Sequence, residues 1–101
     1  MKNIILELKD VNLSQFFIEL DKNKITIEVL NMTNGDEVCT IMIENIMTLK
    51  YENNIDEDEI LPAYLGELKI SQNIETNNFH IEMQGWVDSF IDAKSCFINY
   101  A

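Results

Sequence analysis

The sequence predicts an all-β domain, an antiparallel sandwich or small barrel of about eight short strands with at most one short helix. Two observations carry this. Apolar and polar residues alternate with the two-residue period of a strand over most of the chain. Turn signals such as Asp21-Lys22-Asn23 and Asn34-Gly35 then recur at short intervals between the alternating runs. With 101 residues, 47% of them hydrophobic, the chain reads as one domain spanning residues 1–101. A domain of that size buries a core without help from a metal or a disulfide.

The opening strand is marked by Ile4, Leu6 and Leu8, and Asp10-Val11-Asn12 reads as the turn that ends it. Residues 13–20 fit two patterns. Phe16, Ile18 and Leu20 alternate as in a strand, while Leu13, Phe16, Phe17 and Leu20 also share one helical face. The Phe-Phe-Ile run and the short turn that leads straight into Ile25 favour the strand.

Residues 25–51 form the centre of the reading, a β-hairpin followed by a further strand. Ile25, Ile27 and Val29 share one parity, as do Cys39, Ile41 and Ile43 across the turn. A two-residue Asn-Gly loop would set Ile25 opposite Glu44. A three-residue loop, Thr33-Asn34-Gly35, instead pairs Ile25 with Ile43, Ile27 with Ile41 and Val29 with Cys39, which keeps both apolar sets on one face. Glu44-Asn45 interrupts the pattern, and Met47, Leu49 and Tyr51 mark the next strand.

The stretch 52–59, ENNIDEDE, reads as a solvated loop. Residues 60–66, ILPAYLG, contain the only proline and suit a helical turn or an irregular packed segment better than a central strand. Leu68, Ile70 and Ile74 begin a second hairpin with Phe79, Ile81 and Met83. A loop over residues 75–78 would set Ile74 opposite Phe79 and Ile70 opposite Met83. Residues 87–92 read as a connection plugged by Phe90 and Ile91, and residues 93–100 as the last strand, with Cys96, Ile98 and Tyr100 on one face.

Charge narrows the function. Eighteen acids face seven bases, a net charge of −11, and every base is lysine. Arginine supplies the fork that grips phosphates and base edges, so its absence from an acidic chain argues against direct nucleic-acid binding. An anionic membrane is disfavoured for the same reason, and no apolar run reaches the roughly 20 residues of a spanning helix. Glu7 and Asp10 interrupt the N-terminal segment where a signal peptide needs a continuous apolar core, so the expected location is cytoplasmic.

No chemistry-bearing motif emerges, and no cofactor is expected. Asp56 and Asp58 alternate as in a calcium loop, but no glycine follows and Ile60-Leu61-Pro62 fills the remaining positions. His80, the sole histidine, has the parity of Glu82, Gln84 and Trp86 and is expected on a polar face. Cys39 and Cys96 lack metal-ligand spacing and read as buried free thiols. No nucleophile elbow or phosphate loop is present, so the chain is read as non-enzymatic.

The reading that joins these features is a small acidic protein inhibitor, an immunity protein or antitoxin that blocks a basic, nuclease-like toxin by charge complementarity. The alternative is a binding module or assembly subunit, or a phage-encoded antagonist that mimics DNA. Candidate partner-binding residues are Glu52, Asp56, Glu57, Asp58 and Glu59 in the acidic stretch, with Tyr64 beside it. Glu82, Trp86 and Asp88 form a second group, with Asp92 close by. Tryptophan and tyrosine are included because they anchor interfaces.

Overall fold

The computed structural model describes residues 2–53 and 62–101. Among the described residues six antiparallel strands run in the order β1 (Lys2–Glu19), β2 (Lys24–Asn31), β3 (Glu37–Asn53), β4 (Ala63–Asn73), β5 (Phe79–Gly85) and β6 (Val87–Tyr100), with one 3-10 turn over Leu20–Lys22. They close into a barrel in the spatial order β1-β2-β3-β6-β5-β4. Closure occurs where residues 11–13 of β1 pair with β2 on one side and β4 on the other.

The all-β expectation holds, and of its two architectures the structure is the barrel. The strand count is corrected from about eight to the six that the ladders define. Asp10 and Asn45, read from sequence as turn and interruption, lie inside β1 and β3 with φ of 54° and 55°. Asp and Asn tolerate this left-handed conformation, and one such residue bends a strand without ending it. Both residues fall at a gap in a ladder, Asp10 between the Lys9–Glu67 and Val11–Leu65 pairs and Asn45 between the Glu44–Ser95 and Ile46–Ala93 pairs. At these corners the inward face skips a residue, from Leu8 to Val11, Leu65 to Leu68, Ile43 to Ile46 and Ala93 to Cys96. The Tyr64 hydroxyl donates to the Asp10 carboxylate across the first corner.

Two further expectations change. Residues 63–66 are not helical or irregular but open β4, with Ala63 and Leu65 buried. Residues 87–92 belong to β6, paired with β3 and β5 on its two sides. Residues 60 and 61 of the apolar stretch, and 54–59 of the acidic one, lie outside the described residues.

The corners divide the barrel into two walls. The first holds residues 11–19 of β1, β2, 37–44 of β3 and 95–100 of β6. The second holds residues 2–13 of β1, β4, β5, 87–93 of β6 and 46–53 of β3. Between them lies a core of aliphatic side chains, with Leu13, Ile25, Ile27, Ile41, Ile43, Leu65, Leu68, Ile70, Ile81 and Ile91 fully buried.

The central hairpin has the expected register, with Ile25 opposite Ile43, Ile27 opposite Ile41 and Val29 opposite Cys39. Its loop is one residue longer than expected, because a bulge at Val38 shifts Leu30 to pair with Glu37. The second hairpin is displaced by two residues from the expected register, with Ile70 opposite Ile81 and Gln72 opposite Phe79. Gly85 allows β4 and β5 to approach closely there, since a Cβ at this position would lie 2.4 Å from the Tyr64 carbonyl oxygen. Cys39 and Cys96 are free thiols on neighbouring strands, Cys39 opposite Tyr100 and Cys96 opposite Ile43.

Candidate functional site: an acidic groove on the second wall

The outer face of the second wall is built in rows by the strand registers. His80 of β5 lies between Ser71 of β4 and Asp92 of β6. One row along, Glu82 lies between Lys69 and Phe90, and Phe90 is followed by Lys50 of β3. At the end of the wall, Glu52 pairs with Asp88. An open groove of about 690 Å³ runs here, lined among others by Lys50, Tyr51, Glu52, Glu82, Asp88 and Phe90.

Three of the expected partner-binding residues, Glu52, Glu82 and Asp88, therefore meet in one groove. Two of their carboxylates are held in place. Asp88 Oδ1 accepts the Gly85 N–H at 3.2 Å, and Glu82 Oε1 lies 2.8 Å from His80 Nε2. Tyr64 and Trp86 sit together at the neighbouring corner, where the Trp86 N–H donates to the Tyr64 carbonyl at 2.9 Å. Trp86 is 36% exposed and sits in the bend between β5 and β6. The Asp10 carboxylate that accepts from Tyr64 pushes the phenol pKa up, with desolvation adding to the shift. Asp56, Glu57, Asp58 and Glu59 lie outside the described residues.

His80 points outward, as its parity requires, yet it is buried rather than solvated. The ring of Phe90 stands edge-on to it at a centroid distance of 4.0 Å. Its Nδ1 lies 2.7 Å from Asp92 Oδ1 and its Nε2 faces Glu82. Both ring nitrogens are thereby engaged, and in the imidazolium form both donate. The role it can fill is positional, fixing Glu82 at the groove and tying β5 to β6.

The His80–Asp92–Glu82 cluster is the part that sequence reasoning missed. The shared parity of His80 and Glu82 was a visible signal, but Asp92 lay in a segment read as a connection. Burial pushes the thiol of Cys96 up to about 11 and raises that of Cys39, with the Glu37 charge adding to the latter. Both shifts run against thiolate formation, the form in which a cysteine is reactive. Among the described residues, no group of three or more His, Cys, Asp or Glu side chains is arranged to hold a metal ion.

Fold and groove together define a small antiparallel barrel with an acidic recess on one wall. A crystal structure of an uncharacterized protein from Neisseria gonorrhoeae has the same fold, with a TM-score of 0.75 at 20% sequence identity over 97% of this chain and 96% of that chain. Residues 6–99 match a protein-family model whose description reads only "-like:-like", and the chain belongs to that family. No curated protein matches the sequence.

Proposed function

We propose that this protein is a small acidic inhibitor, an immunity protein or antitoxin of the cytoplasm that binds and blocks a basic, nuclease-like toxin. The observation that supports this reading is the convergence of Glu52, Glu82 and Asp88 in an open groove beside the rings of Tyr51 and Phe90. Carboxylates next to aromatic faces suit a lysine or arginine side chain, which gains ionic and cation–π contacts there. Holding Glu82 and Asp88 in place beforehand lowers the ordering cost of binding. The net charge of −11 adds a long-range attraction that speeds encounter with a basic surface.

The test is capture of the partner from the native host at low salt, followed by association kinetics at several salt concentrations. A triple variant, Glu52→Gln with Glu82→Gln and Asp88→Asn, is expected to slow association about tenfold or more and to flatten its salt dependence. A second variant changes Asp56, Glu57, Asp58 and Glu59 to lysine. Slower association in the second variant alone would move the contact from the groove to that stretch. Capture of an acidic or neutral partner, with no dependence on salt, would overturn the reading.

A further inference from the structure

The two ends of β6 differ in what they face. Residues 89–93 lie between β3 and β5, but β5 reaches only as far as the Phe79–Ala93 pair. Among the described residues, no strand pairs with residues 95–100 on the side away from β3. Which groups face that side follows from one hydrogen bond. The Ala101 N–H donates to the Val38 carbonyl at 3.1 Å. Antiparallel ladders alternate, so residues 95, 97 and 99 bond to β3, while Cys96, Ile98 and Tyr100 turn their N–H and C=O groups outward. A row of such groups is a template for another strand.

We infer that this edge pairs with the same edge of a second copy of the chain, forming a two-fold dimer through β6. Three observations select a second copy. The first is charge. The nine residues 93–101, AKSCFINYA, form the longest acid-free run in a chain with eighteen acids, so two copies meet here without setting carboxylates against each other. The second is self-complementarity. With the axis at Ile98, Ile98 lies opposite Ile98 of the second copy, and Cys96 lies opposite Tyr100 of the second copy. All three outward-facing residues are then paired, as an isologous contact requires.

The third observation is the outer face of the first wall. Phe17, Thr26, Met42 and Phe97 form one continuous cross-strand row over β1, β2, β3 and β6. Phe17 and Phe97 are 51% and 52% exposed. This row ends at the β6 edge, and the dimer would join it to its counterpart and bring the two Phe97 rings onto one face near the axis. The acidic groove lies at the opposite end of β6, around Asp88 and Phe90, so both grooves stay open and the dimer is bivalent.

Sedimentation equilibrium of the full chain should give about twice the 11.8 kDa chain mass, falling toward 11.8 kDa on dilution. Hydrogen exchange across the same concentrations should show protection rising at the amides of Cys96, Ile98 and Tyr100, while those of residues 95, 97 and 99 stay protected throughout. Ile98→Pro removes the central outward donor and should weaken the dimer at least tenfold, and Phe97→Asp should weaken it by placing an acid beside the axis in both copies. The hydrogen-exchange readout needs no substitution, so it decides the matter even where a variant fails to fold. A monomer at every concentration, or a dimer in which Cys96, Ile98 and Tyr100 exchange at the monomer's rate, would overturn the proposal.

Discussion

The β2–β3 and β4–β5 hairpins close with the same loop written in different residues. In each, an asparagine leads. The Asn31 side chain accepts the N–H groups of Thr33 and Asn34, and the Asn73 side chain accepts those of Glu75 and Thr76. Four positions later the N–H of Gly35 or Asn77 returns to the carbonyl of that asparagine, at 2.9 and 2.8 Å, and both residues are left-handed, with φ of 75° and 62°. The difference lies in the left-handed residue, glycine in the first loop and asparagine in the second. Glycine enters that region without a steric penalty and announces the turn in the sequence. Asparagine tolerates it but sits among other polar residues and announces little. A leading asparagine with a left-handed residue four positions on is thus the common device, and the Asn-Gly pair is only its more visible spelling.

The comparison is put under most strain at the centres of the two hairpins. Ile41 and Ile81 are each fully buried opposite another buried isoleucine, Ile27 and Ile70. Ile41→Ala and Ile81→Ala should each cost about 2–5 kcal/mol, by the lost contacts and the cavity left behind. Urea titration should find the two losses within about 1 kcal/mol of each other, inside the spread such sites show. A loss at one site alone would show that the hairpins do not contribute equally to one core.

The glycines should separate the hairpins. Gly85→Ala would press a Cβ against the Tyr64 carbonyl oxygen and to 2.8 Å from Leu65 Cα, both backbone atoms that cannot turn aside. Overpacking of this kind costs about 1–3 kcal/mol. Gly35→Ala meets nothing within 4 Å, so only its positive φ counts, at about 1–2 kcal/mol. Chemical denaturation of the pair should rank Gly85→Ala as the more damaging.

The smallest effects belong to the leading asparagines. Asn31→Ala and Asn73→Ala each remove two exposed hydrogen bonds to loop N–H groups and should cost about 1 kcal/mol apiece. Faster amide exchange should appear at Thr33 and Asn34 in one variant and at Glu75 and Thr76 in the other. Unequal costs would mean that the two loops are alike in shape but not in what holds them.

These hairpins also show how far the sequence could be read. Parity and the Asn34-Gly35 turn together set the β2–β3 register, because of the two loop lengths weighed at that turn only the three-residue one kept Ile25, Ile27, Val29, Cys39, Ile41 and Ile43 on the same face. A slip of two preserves parity, so the β4–β5 register could not be fixed in this way, although Leu68, Ile70, Ile81 and Met83 fell on the buried face as expected. Asp10 and Asn45 were recognised as departures from a straight strand, but a left-handed residue gives the same local signal in a corner as in a turn. What distinguishes the two is the pairing of residues distant in sequence. The groove was legible in part. The surface position of Glu82 followed from alternation, while Asp88 was picked out only as an acid close to Trp86 in a segment read as a connection. Their meeting with Glu52 depended on the β3–β6 register, and the burial of His80 depended on a phenylalanine from the next strand.

The corners at Asp10 and Asn45 also bear on how the chain folds. Because β1, β3 and β6 each run through both walls, neither wall is a unit that can open while the other persists. Local fraying should be confined to loops, and the strand amides that are hydrogen-bonded within the barrel should share one global opening event. The contacts that complete the barrel are far apart along the chain, Lys2 with Asn73 and Cys39 with Tyr100. Such closures carry their entropic cost before they return any stabilisation, which places the protein among slow folders, on the order of milliseconds to seconds. The two bends that keep the strands unbroken therefore make the barrel cooperative in equilibrium and slow in assembly.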